Sequence, residues 1–159
     1  MLDEYGQDEQ AQRADFKEAI SRLNKGDLAG AEKLYQKIVR ANPYHYGALM
    51  HLGVLAYRVQ KYDMAVDYYL KALAINRKVP DGYFNLGSAL QAQEKYRDAV
   101  DSFRRAVSSK PDDKEAHYLL GRCLEKLGKN EEAATAYRTA IALDSSHTKA
   151  VQALEALEK

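Results

Sequence analysis

The chain of 159 residues has one cysteine, three prolines and no apolar run near the length of a bilayer span. A lone Cys123 cannot close a disulfide within the chain, and a transmembrane helix would need about 20 consecutive apolar residues. Membrane insertion is therefore not expected. Charge of one sign is also lacking: 24 Lys and Arg stand against 23 Asp and Glu, a formal net charge of +1. With both signs interspersed there is little electrostatic footprint for a phosphate backbone, so nucleic acid is not an expected partner. The opening Met-Leu-Asp-Glu-Tyr-Gly is acidic where a signal peptide would be basic and then apolar. The chain as it stands reads as cytoplasmic, with a periplasmic location open if a leader has been removed.

Catalytic motifs are missing too. There is no glycine-rich phosphate loop, no nucleophile elbow, no cluster of metal ligands and no acid and base pair, so neither an enzyme nor a cofactor is expected.

What the sequence has is a period of 34 residues. Ala31, Ala65, Ala99 and Ala133 recur at that step, as do Gly53, Gly87 and Gly121. So do the aromatics Tyr35, Tyr69, Phe103 and Tyr137, the small or apolar Ile38, Ala72, Ala106 and Ala140, and the pair Tyr62 and Tyr96. Several residue types sharing one spacing mark a repeat protein. The period divides the chain into an N-terminal segment 1–11, four repeats at 12–45, 46–79, 80–113 and 114–147, and a tail 148–159, with nothing left for a second domain.

Within each repeat two helix-length stretches flank a short polar link, for example Lys25-Gly26-Asp27, Gln60-Lys61, Glu94-Lys95 and Gly128-Lys129. Each repeat therefore predicts a helical hairpin. The third shows the pattern best, with apolar stripes at Tyr83, Leu86 and Leu90, then at Tyr96, Ala99, Phe103 and Ala106. Pro80 stands where a first helical turn tolerates a missing N–H, and Pro111 where a helix has ended. Glycine inside a helix costs roughly 1 kcal/mol against alanine, so Gly53, Gly87 and Gly121 call for compensation by close packing. A small facing residue such as Ala99 is the expected neighbour of Gly87. The tail carries Ala150, Val151, Leu154 and Leu157 on one face and Lys149, Gln152, Glu155 and Glu158 on the other, the pattern of a capping helix.

These residues resemble the tetratricopeptide repeat, whose unit reads W-x2-L-G-x2-Y, then A-x3-F, A and P. The third repeat supplies Tyr83, Leu86-Gly87, Leu90, Ala99, Phe103, Ala106 and Pro111. The fourth supplies Leu120-Gly121, Leu124, Ala133, Tyr137 and Ala140. The second has Leu49, Leu52-Gly53, Ala65, Tyr69 and Ala72, but Arg77 where the closing proline belongs, so a longer or re-angled turn is expected there. The first departs most, with Glu18-Ala19 in place of Leu-Gly.

The resemblance implies an all-α fold, a right-handed α-solenoid of stacked antiparallel helix hairpins whose first helices line a concave groove. By the family's groove positions the second repeat would present Met50, His51, Val54 and Tyr57; the third Phe84, Asn85 and Ser88; the fourth Tyr118, Leu119 and Arg122. Phe16, Ile20 and Leu23 of the first repeat face either the groove or the interior. The carboxylate clamp of one branch of the family is not matched, because its basic positions read Asp81 and Asn85, or Glu115 and Leu119, and its first lysine reads Phe16 or Met50. The surface suits a protein partner offering an apolar peptide or one face of an amphipathic helix. A self-assembling homo-oligomer joined through the first repeat or the groove is the alternative.

Other candidates read as structural. His45 and His147 fall in turns between repeats, and His51 and His117 at different helix positions, so no metal site is expected. Cys123 takes a small packed position, and Arg97, Arg104, Arg105 and Lys95, interleaved with Asp98 and Asp101, form a solvated strip.

Overall fold

The computed structural model describes residues 4–79 and 81–159, all helix and turn, with no strand among them. The reading of Pro80 as a helix-opening residue, and residues 1–3 of the N-terminal segment, lie outside the described residues. Two compact units divide the chain, the second beginning at Asp81. The first holds α1 (Glu4–Asn24), α2 (Leu28–Ala41), α3 (Tyr46–Arg58) and α4 (Tyr62–Ile75). The second holds α5 (Gly82–Ala92), α6 (Tyr96–Ser109), α7 (Lys114–Lys126), α8 (Asn130–Leu143) and α9 (Thr148–Leu157). Helix α1 starts at Glu4, upstream of residue 12 where the period opens the first repeat.

Every hairpin turns through one residue in the left-handed region: Gly26 (φ 82°), Gln60 (59°), Glu94 (60°) and Gly128 (73°). The same pair of backbone bonds closes each turn. In the first, Gly26 N–H donates to Leu23 O (3.1 Å) and Asp27 N–H reaches back to Arg22 O (2.9 Å). The equivalent long bonds, Lys61 to Ala56, Lys95 to Leu90 and Lys129 to Leu124, are all 2.9 Å. This double bond satisfies carbonyls that a helix end leaves orphaned. Two repeats use glycine there and two strain a side chain.

Side chains cap the starts of α2, α3, α7 and α9, whereas α4, α5, α6 and α8 have no side-chain cap bond. Asp27 accepts from Gly30 N–H (2.9 Å), and Asp113 from Glu115 and Ala116 N–H (3.1 and 3.0 Å). His45 and His147 serve as caps through Nδ1, accepting from Ala48 N–H (3.0 Å) and Ala150 N–H (3.2 Å). That role requires an unprotonated Nδ1. Four-residue links, 42–45, 110–113 and 144–147, join successive hairpins, or α8 to α9, but residues 76–81 separate α4 from α5. Asp81 sits at φ 56° and α5 is 11 residues long against 13 for α3 and α7. The extra length falls where Arg77 replaces the turn proline.

Packing inside each hairpin centres on one ring. Tyr35, Phe103 and Tyr137 are fully buried and Tyr69 nearly so, beside the fully buried Ala31, Ala65, Ala99 and Ala133. A Cβ placed on Gly53 would lie 2.4 Å from the Tyr69 ring, on Gly87 2.9 Å from Phe103, and on Gly121 2.6 Å from Tyr137. At Gly87 the atoms nearest that point belong to the Phe103 ring, so the glycine clears room for the aromatic of the facing helix, and at the equivalent Gly121 Ala133 O also lies 3.2 Å away. In α9, Ala150 is fully buried while Lys149, Gln152, Glu155 and Glu158 face solvent, and Arg138 ties Glu158 at 2.8 Å.

Two predictions follow from this geometry. Gly87→Ala gains up to about 1 kcal/mol of helix propensity but must push the Phe103 ring aside, so urea unfolding should show a net loss of about 1 kcal/mol. Phe103→Leu should then cost less in that background than in the parent; equal costs would mean that the two positions do not compete for space. At the turns, Gln60→Gly and Glu94→Gly remove left-handed strain of about 1 kcal/mol each, partly offset by the freer unfolded chain. Each should raise the urea midpoint, and an unchanged or lower midpoint would show that the side chain is not strained.

Candidate functional site

In the first compact unit, the positions expected to face a groove divide between interior and surface. Met50 is 8% exposed and belongs to the core. His51 is half-buried: its ring stacks parallel on Tyr35, centroids 4.8 Å apart and planes 5° apart, with Phe16 at 5.6 Å. Phe16 meets the Tyr35 edge at 5.8 Å and the capping His45 ring at 4.9 Å. Burial lowers the His51 pKa, holding the imidazole neutral. Burial also pushes the Tyr35 hydroxyl up to about 12, and among the described residues that hydroxyl has no hydrogen-bond partner. Val54 stays half-buried and Tyr57 is exposed, its ring edge-on to Tyr62 at 5.4 Å.

In the second unit the same division recurs. Tyr118 is 8% exposed, packed 5.9 Å from Tyr137 and 5.1 Å from His147. Phe84 sits edge-on to Phe103 at 5.9 Å yet remains half-buried, as do Asn85, Ser88 and Leu119, while Arg122 is exposed. Ser88 Oγ donates to Phe84 O at 3.0 Å, so that hydroxyl is engaged within its own helix. Helices α5 and α7 touch, which brings the Phe84 and Leu119 helices side by side.

One contact recurs at the fifth position of the repeat: its side chain lies against the aromatic of the second helix, as the Phe16–Tyr35, Phe84–Phe103 and Tyr118–Tyr137 separations of 5.8–5.9 Å show. The signal was present as a constant spacing of 19 residues within each pair. The positions left at least partly open are His51, Val54 and Tyr57 in the first unit and Phe84, Asn85, Ser88, Leu119 and Arg122 in the second.

Sequence reasoning passed over one feature, an open cleft lined by Phe16, Asn42, Tyr44, His45, Tyr46 and Gly47. Tyr44, 76% exposed, and Tyr46, 41% exposed, frame it. Neither keeps the 34-residue step, so periodicity gave no reason to single them out. In the basic strip Arg104 pairs with Glu132 at 2.7 Å, a carboxylate that Lys129 also approaches at 3.3 Å, and Arg105 donates to the neutral Tyr83 Oη at 3.2 Å. Cys123 is buried, which pushes its thiol up to about 11 and leaves it a poor nucleophile. Among the described residues no three His, Cys, Asp or Glu are placed to hold a metal ion, and no helix is long and apolar enough to cross a membrane.

Comparison with known proteins fits this helical repeat. Two tetratricopeptide repeat models match, one over residues 44–112 and the other over 84–148. Human tetratricopeptide repeat protein 28 is 31% identical over 83 residues, half of this chain but only 3% of that protein. Among solved structures, MamA 41-end from Desulfovibrio magneticus RS-1 superposes with a TM-score of 0.87 at 21% identity, covering 92% of this chain and 83% of that one. The first TPR of Spaghetti (RPAP3), bound to the HSP90 peptide SRMEEVD, gives 0.68 at 25% identity, over 71% of this chain and 90% of that one. These likenesses give the fold as an all-α array of the tetratricopeptide solenoid class. With its 34-residue period, its ring-over-glycine hairpins and two overlapping matches that together run over residues 44–148, the chain belongs to the tetratricopeptide repeat family.

Proposed function

We propose that this chain is a non-catalytic protein-interaction scaffold that holds an apolar peptide, or the apolar face of an amphipathic helix, on the open faces of its first helices. The observation carrying this reading is that Val54, Tyr57, Phe84 and Leu119 keep part of their apolar surface open after each hairpin has closed. Exposed apolar side chains grouped on helix faces are where a partner gains most from desolvation. The related domain of Spaghetti (RPAP3), bound to a peptide, supports the general role.

The ligand's chemistry differs from that of an acidic tail. Asp81 and Glu115 stand where a clamp for carboxylates would place cations, and Asn85 and Leu119 are uncharged. Arg122 and Arg58 are the exposed cations on these helices nearest the apolar positions, enough to orient a partner but not to hold it by charge. Recognition then rests on two or three apolar anchors spaced as on a helix face.

Affinity capture from source lysate, read by mass spectrometry, tests the proposal. The comparison variant is Val54→Ser, Tyr57→Ser, Leu119→Ser, which spares the buried Met50 and Tyr118 and should keep its thermal midpoint. Partners held by these faces should be lost, and a partner once identified should bind the variant at least about 10-fold more weakly. An identical list of partners from both proteins would move the site elsewhere.

A further inference from the structure

The cleft at the link between α2 and α3 has a counterpart within the same chain, at the link between α8 and α9. His45 and His147 stand three periods apart, and both cap a helix through Nδ1, accepting from Ala48 N–H at 3.0 Å and Ala150 N–H at 3.2 Å. Each ring lies against the aromatic at the fifth position of a first helix: Phe16 to His45 at 4.9 Å and Tyr118 to His147 at 5.1 Å, with planes at 45° in both pairs. The two junctions are built alike.

They differ in what meets the other ring nitrogen. A neutral imidazole that accepts at Nδ1 carries its proton on Nε2 and donates there. His147 Nε2–H donates to the Glu115 carboxylate at 3.2 Å. The position three periods before Glu115 is Arg13, a donor in place of the acceptor, and His45 Nε2–H has no acceptor among the described residues. Arg13 is 73% exposed and bonds Glu9 at 2.6 Å along α1, an exposed pair of the kind that is readily exchanged. The first junction therefore has two donors where the last has a donor and a carboxylate.

The walls of the cleft are aromatic. Phe16, Tyr44 and Tyr46 line it, and the counterparts of the two exposed tyrosines in the last junction are Ser146 and Thr148. A Cβ on Gly47 would come 3.2 Å from Phe16 Cζ and 3.4 Å from His45 Cε1, so glycine keeps the space beside both rings clear. Flat apolar surface beside two donors suits a ring that carries an acid. The few residues lining the cleft are enough for one such ring and its carboxylate, not for a length of chain.

We infer that this cleft binds a small aromatic carboxylic acid, its carboxylate taken by His45 Nε2–H and the Arg13 guanidinium and its ring laid among Phe16, Tyr44 and Tyr46. The site lies at the link between two hairpins, apart from the first-helix faces proposed above, and goes beyond that reading.

Phenylacetate titrated into the full chain should shift the Tyr44, Tyr46 and Ala48 amide NMR signals with a Kd of about 1 mM, and phenylacetamide should bind about 10-fold more weakly or worse. Arg13→Glu supplies the carboxylate that the fourth repeat already carries, so the variant should stay folded and lose affinity by about 10-fold or more. His45→Asp keeps a cap of the kind that Asp113 forms on α7 but removes the Nε2 donor, and the same loss is expected. Absence of any shift up to about 20 mM phenylacetate, or equal binding of acid and amide, overturns the inference. Either folded variant binding like the parent overturns the assigned donor. Acetyl-Ala-Ala-Phe held about 10-fold more tightly than phenylacetate overturns the small acid as occupant and gives the cleft to a peptide terminus.

Discussion

Everything in this molecule depends on a ring lying where a Cβ would be. In three hairpins the second-helix aromatic, Tyr69, Phe103 or Tyr137, crosses the first helix at a glycine with less than 3 Å to spare for any added carbon. The three glycines forfeit roughly 3 kcal/mol of helix propensity, whereas a buried aromatic removes 150–250 Å² from water, about 4 kcal/mol or more at 25 cal/mol/Å². Burial wins at each site. It also sets the distance between helices and the register of the fifth-position side chain, which packs on the same ring.

The first hairpin shows what happens when that constraint is relaxed. Ala19 replaces the glycine and is itself fully buried. Tyr35 keeps its place through other aromatic contacts, Phe16 at its edge and His51 stacked on its face. The hydroxyl is the casualty. In the fourth repeat Tyr137 Oη donates to Glu125 at 2.6 Å, while the residue 34 positions before Glu125 is Gln91 and the residue 102 before it is Leu23. With leucine at that position, the Tyr35 hydroxyl loses the acceptor that its fourth-repeat counterpart has. A buried hydroxyl without a partner costs on the order of 1–3 kcal/mol.

The repeat pattern made the helices, the hairpins, the closing turns and the buried alanines readable, because each position was sampled up to four times and chance agreement between samples is small. Three things escaped that averaging. The left-handed Gln60 and Glu94 carry residue types that do not advertise positive φ, although Gly26 and Gly128 at the same step do. The six-residue link 76–81 occurs once, and Arg77 signalled a departure without giving its length. The split of the groove positions into buried Met50 and Tyr118 and partly open Val54, Phe84 and Leu119 does not follow residue type, since Phe84 and Tyr118 make the same 5.9 Å ring contact and differ in exposure.

That last point bears on what a repeat scaffold can recognise. Phe16, Phe84 and Tyr118 hold one repeat position and each packs on its own hairpin's ring, with Phe16 and Phe84 still half-buried. The next position, by contrast, reads Lys17, His51, Asn85 and Leu119, a different chemistry in each repeat. The repeat prescribes no residue type at that position, although His51 there is still engaged, stacked on Tyr35 at 4.8 Å. In a chain built of near copies, the residues that depart from the repeat at exposed positions are the ones the fold does not explain.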